Sequence, residues 1–116
     1  MNKFSVARVE DIPPGSREII HINGRQIGVF NIAGKFVALQ NICPHQGAPV
    51  CLGDVEGTNS PSEPNEFNWQ RAGEILRCPW HGWEFDLFTG QSLFDSQVKV
   101  KTYKVEIVND QVVVEL

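Results

Sequence analysis

The chain is 116 residues long, enough for one hydrophobic core, and its 41% hydrophobic content is that of an ordinary globular protein. A net charge of −4 argues against nucleic acid, which wants a basic patch, and leaves room for steering toward a basic partner surface. No stretch approaches the ~20 consecutive apolar residues that cross a bilayer, and the start, Met1-Asn2-Lys3-Phe4-Ser5-Val6, lacks an apolar signal region, so a cytoplasmic protein without membrane contact is expected.

The patterning is that of short strands and turns with almost no helical periodicity. Residues 17–22 and 25–32 read as strands joined by Asn23-Gly24, a type I′ hairpin signal. Ala33-Gly34 turns the chain into a strand over 35–41. Residues 73–77 and 83–87 form two more, the latter running toward Thr89-Gly90. Val98, Val100 and Thr102 alternate with Lys99, Lys101 and Tyr103, as a half-buried strand should. A last hairpin, 104–108 and 111–116, turns at Asn109-Asp110. Many short strands at this spacing predict an all-β antiparallel sandwich or barrel in a single domain, 1–116, with no internal repeat. Between these strands, residues 56–71 are rich in Pro, Asn, Ser and Glu and read as an exposed loop insertion, either a partner-selecting flap or a harmless insertion that Phe67 and Trp69 would pin to the body.

Chemistry concentrates in two boxes. Cys43-Pro44-His45-Gln46-Gly47 follows the strand over 35–41, and Cys78-Pro79-Trp80-His81-Gly82 follows the strand over 73–77. Each offers one thiolate and one imidazole, framed by Pro and Gly, which build tight, pre-formed loops. Cys43, His45, Cys78 and His81 together form a two-sulfur, two-nitrogen set. That set fits a tetrahedral zinc or a [2Fe–2S] cluster in which two histidines hold the second iron. Of the remaining candidates, His21 lies in a strand pattern and reads as a surface or packed histidine, and Cys51 reads as a small buried residue. Three cysteines, two of them ligands, agree with a reducing compartment.

The paired boxes, with Trp83-Glu84-Phe85-Asp86 and Thr89-Gly90 behind the second, resemble those of the Rieske family, and the similarity runs from about Phe4 to Leu116. The resemblance implies one [2Fe–2S] cluster per chain, with Cys43 and Cys78 on one iron and His45 and His81 on the other. It also implies a cluster-binding part of two loops within residues 41–90. In such proteins the two imidazoles reach the surface, and Pro44, Gly47, Pro79 and Gly82 would shape the loops while Trp80 shields the centre.

Within the family, respiratory members bridge two further cysteines beside the cluster. Ala48 and Trp80 stand in those places here, and Cys51 has no fourth cysteine to pair with. High-potential members place Ser and Tyr hydroxyls where this chain has Trp83 and Phe85. Fewer donors to sulfur stabilise the reduced cluster less, so a midpoint nearer roughly −150 mV than +300 mV is expected. A departure from the family pattern is the 32-residue interval between His45 and Cys78, whose surplus is the 56–71 stretch.

The chain has three histidines and the cluster takes two, so His21 alone cannot complete the two-His, one-carboxylate iron site of a Rieske oxygenase. The resemblance therefore implies a non-catalytic, monomeric Rieske-type ferredoxin like those of ring-hydroxylating oxygenases. It would carry single electrons from a flavin-containing, NAD(P)H-dependent reductase to a terminal oxygenase through transient contacts. The alternatives are the small subunit of another redox enzyme, such as a nitrite reductase, and a non-catalytic metal-binding redox sensor.

Overall fold

The computed structural model describes residues 2–42, 49–53, 55–59, 69–79, 84–93 and 97–116. Among them the strands run β1 (Lys3–Arg8), β2 (Arg17–Ile22), β3 (Arg25–Ile32), β4 (Lys35–Gln40), β5 (Val55–Asn59), β6 (Trp69–Arg77), β7 (Glu84–Asp86), β8 (Thr102–Val108) and β9 (Gln111–Glu115). Short 3-10 turns occupy Val9–Asp11 and Val50–Leu52. No helix among the described residues is long and apolar enough to cross a membrane.

The turns drive this architecture. Asn23 and Gly24 sit at φ 51° and 77°, and β2 and β3 pair in unbroken register from Arg17 opposite Phe30 to Ile22 opposite Arg25. Ala33-Gly34 repeats the device at 51° and 96°, as does Asn109-Asp110 at 50° and 62°. Two successive positive φ values are what a two-residue hairpin needs to match the right-handed twist of its strands. The hairpins assemble into a nearly closed six-stranded antiparallel sheet, ordered β1-β9-β8-β4-β3-β2, beside a three-stranded sheet, β5-β6-β7. The all-β expectation is met.

Burial explains why β3 shows no polar alternation. Ile27 and Val29 join Ala38, Tyr103, Val112, Val114 and Ile12 in the core within the larger sheet. Phe30, on the other face, joins Leu39, Val50, Cys51, Leu76, Cys78, Phe85, Leu87 and Val100 in a second core shared with the smaller sheet. A strand covered on both faces reads as a continuous apolar run.

Two expectations are corrected, and one strand is added. The alternation over 98–103 does not form one strand: β8 begins at Thr102, which is exposed, while Val100 and Tyr103 are buried. Backbone pairing gives the reason. Val100 N–H donates to Gly90 O and Ser92 N–H to Val98 O, so this stretch serves the second core before the chain crosses to the first, and the inward phase shifts by one residue. The polar stretch at 56–71 begins and ends as strand, with Thr58 opposite Gln70 and Asn59 opposite Trp69; residues 60–68, Phe67 among them, lie outside the described residues. Backbone pairing between β5 and β6 leaves no apolar period to read. Finally, β1 was not foreseen, because a bulge between Ser5 and Ala7 breaks its period against β9.

Candidate functional site

Both boxes hang from strand ends. The first follows β4 through Asn41 and Ile42 and returns through Pro49 and the Val50–Leu52 turn. The second leaves β6 after Arg77 and re-enters β7 at Glu84, and Arg77 and Glu84 are register partners whose side chains approach at 4.0 Å. The root of the second loop is thus closed by paired backbone.

Of the four proposed ligands, Cys78 lies among the described residues. It is 1% exposed, in no disulfide, and packed in the second core with Leu76 and Phe85. A buried thiol at the mouth of a strand suits a soft metal centre screened from water, so the residue fits the proposed cluster. Cys43, His45 and His81 lie outside the described residues, together with Pro44, Gln46, Gly47, Ala48, Trp80, Gly82 and Trp83. Phe85, expected beside the centre without a hydroxyl, is fully buried on β7 opposite Leu76.

Cys51 is buried, as expected, and chemically quiet. Its removal from water pushes the thiol up to about 12, against smaller opposing effects of the Gly28 backbone and the Arg17 charge. The protonated Sγ donates to Leu39 O at 3.5 Å. It is therefore no competitor to the thiols proposed as ligands. A Cβ on Gly28 would stand 2.6 Å from both Cβ and Sγ of Cys51, so only glycine lets the Val50–Leu52 turn settle on β3. His21 is exposed on β2 opposite Gln26.

Residues that the motifs did not single out surround the roots. Asn41 is buried and its Oδ1 accepts Cys51 N–H at 2.8 Å. Arg17 Nη1 donates to the carbonyls of Cys51, at 2.8 Å, and of Gly53. Gly53 packs so tightly on Arg77 O that a Cβ there would lie 1.7 Å from it. The sequence offered one signal, an Asn closing a strand just before a Cys-Pro turn; nothing marked Arg17 apart from other strand arginines. Around this end of the molecule Ile42, Leu52 and Leu93 are exposed, at 49%, 61% and 40%.

Comparison with known proteins bears on this arrangement. A family model described as the Rieske [2Fe-2S] domain matches residues 2–104. The ferredoxin component of the naphthalene 1,2-dioxygenase/salicylate 5-hydroxylase systems of a Ralstonia species is 29% identical over 116 residues, covering 99% of this chain and 96% of that protein. Among solved structures, the ferredoxin of carbazole 1,9a-dioxygenase from Nocardioides aromaticivorans IC177 superposes with a TM-score of 0.76 at 21% identity, covering 98% of this chain and 97% of that one. A Mycobacterium tuberculosis protein ascribed to the small subunit of an NADH-dependent nitrite reductase gives 0.73 at 20% identity, covering 97% and 93%. At these identities the two structures speak for the fold alone.

Proposed function

The chain belongs to the Rieske [2Fe–2S] domain family, and on that premise we propose that it works as the ferredoxin of an oxygenase system. In this reading residues 1–116 form one Rieske domain, with Cys43 and Cys78 holding one iron of the cluster and His45 and His81 the other. Its donor is a flavin-containing reductase fed by NAD(P)H, and its acceptor is a terminal oxygenase. The observation that carries the proposal is the near end-to-end match with the Ralstonia ferredoxin component. The nitrite reductase small subunit shares the fold, but the sequence relatives favour the oxygenase setting.

A bound [2Fe–2S] cluster supplies a reversible one-electron step with no open coordination site for substrate. The chain's own residues supply the rest. Packing of Cys78 among Leu76, Phe85 and Leu87 keeps water from its sulfur. Paired backbone at Arg77 and Glu84 fixes the ends from which the second box springs. Exposed Ile42, Leu52 and Leu93 offer a dry rim for a transient partner, and the net charge of −4 favours a basic surface on that partner.

The test is metal analysis with electron paramagnetic resonance, followed by NAD(P)H-driven reduction with reductase captured from the native host. Two iron and two acid-labile sulfides per chain, a Rieske-type signal on reduction, and electron delivery to a partner oxygenase are expected. His81→Ala should abolish the signal. Stoichiometric zinc without iron from iron-replete cells would refute the ligand assignment; substrate hydroxylation by the chain alone would refute the carrier role. Size-exclusion chromatography should return a monomer.

A further inference from the structure

The two ligand loops spring from different sheets, β4 in the larger and β6 in the smaller. Residues 49–53, the returning limb of the first loop, touch the roots of both. On one side, Asn41 Oδ1 accepts Cys51 N–H at 2.8 Å and so closes the neck of the first loop. Asn41 is itself held by Gln26, donating from its backbone N–H to Gln26 O at 2.8 Å and from Nδ2 to Gln26 Oε1 at 3.1 Å. Arg17 reaches from β2 to the carbonyls of Cys51 and Gly53, its guanidinium lying 5.2 Å from the centroid of the Phe30 ring. On the other side, Gly53 lies directly against the carbonyl of Arg77, the residue before Cys78.

From this continuous path we infer that Asn41 and Arg17 are positioning residues for the metal centre: by gripping residues 49–53 against the root of the second loop, they set the spacing between the Cys43/His45 loop and the Cys78/His81 loop. The inference rests on assigning the cluster to the two boxes. Its physical basis is that a centre held by two separate loops tolerates little change in their separation; the pairing of β5 with β6 ties the far end of residues 49–53 to the second loop's root, and the Asn41 and Arg17 contacts fix the same limb to the larger sheet. Loss of the Asn41 acceptor leaves Cys51 N–H unpaired at a buried site, and the limb then gains freedom to move. Arg17 adds a charge-assisted grip on two carbonyls, and its stacking on Phe30 restricts the guanidinium.

The iron-loaded protein is compared with Asn41→Ala, Asn41→Asp, Arg17→Met and Asn31→Ala by chelator-driven iron release and by electron paramagnetic resonance of the reduced state. Asn31 provides the control, because it too is buried and bonded to backbone, donating to Ile12 O and accepting Gly34 N–H, but at the Ala33-Gly34 turn. Asn41→Ala and Arg17→Met are expected to release iron about tenfold faster, the factor that one ordinary hydrogen bond supports, and to broaden the resonance. Asn31→Ala should lower the melting temperature without changing either readout. Asn41→Asp keeps the acceptor for Cys51 and should retain slow release. If Asn41→Ala does not fold, Arg17→Met, at a half-buried position, and Asn41→Asp decide the matter. Release within about twofold of the unchanged protein for Arg17→Met, or equal effects from Asn31→Ala, would overturn the inference. An unchanged protein that binds no iron would instead refute the ligand assignment.

Discussion

Replacing Gly53 with alanine isolates the contact between residues 49–53 and the end of β6. The backbone there is ordinary, with φ −73° and ψ 172°, so alanine meets no conformational penalty. Space is the obstacle. The new Cβ would stand 1.7 Å from Arg77 O and 3.1 Å from Val50 O, the first far inside the 3.0 Å below which such contacts essentially never occur. Both obstructing atoms are backbone, so relief requires residues 49–53 and the end of β6 to move apart. Overpacking costs about 1–3 kcal/mol, and the rigidity of both sides places Gly53→Ala near 3 kcal/mol. For a domain of this size that lowers the melting temperature by on the order of 10 °C. Gly34→Ala is the informative comparator: nothing lies within 4 Å of its Cβ, but its φ is +96°, a conformation whose cost to an L-residue is ~1–2 kcal/mol. Thermal unfolding followed by circular dichroism, with iron content measured in parallel, ranks the two. Gly53→Ala should be the more damaging and should also lose iron. Equal or smaller damage than Gly34→Ala would refute the close approach of the loops.

Cys51 should resist alkylation in the folded protein at pH 8, since it is buried and its thiol is pushed up to about 12. Because its folded value is raised above the ordinary 9.0, the associated stability is fully present below pH 9.0 and is lost as pH rises toward about 12; denaturant titrations should show this loss, and Cys51→Ala should remove it. Tyr103 Oη is buried and finds no hydrogen-bond partner among the described residues, so Tyr103→Phe should stabilise the fold by about 1 kcal/mol in urea unfolding. Unchanged or reduced stability would mean that the hydroxyl is satisfied in solution. Phe85→Tyr should raise the midpoint potential by roughly 40 mV in redox titration, the one-electron equivalent of a ~1 kcal/mol bond favouring the reduced centre, from a starting value below 0 mV.

What could be read in advance followed from how local the causes are. Asn23-Gly24, Ala33-Gly34 and Asn109-Asp110 dictate their hairpins within two residues, and β2 and β3 fall on the expected residues. The candidate ligand boxes stand out for the same reason, since each carries its own Cys, His and turn residues. Non-local causes were not legible. The shift of inward phase between Val100 and Tyr103 depends on which of two cores each meets. The contacts of Arg17 and Asn41 depend on residues 34 and 10 positions away; the place of Asn41 before the Cys-Pro turn is a local sign, and nothing in the sequence marks Arg17.

The pairing of β1 with β9 has a consequence for how the protein is made. Lys3 lies opposite Glu115 and Phe4 opposite Val114, so β1 waits for β9. The β2-β3-β4 meander can form early, but one margin of the larger sheet stays open until residues 111–115 emerge. Val112 and Val114, which complete the core within that sheet, arrive at the same late moment. Closing so long a loop is slow compared with forming hairpins. Both candidate ligand boxes are thus synthesised well before the sheet behind them can close, and any loading with iron and sulfide that needs the finished sheet waits for residues 111–115.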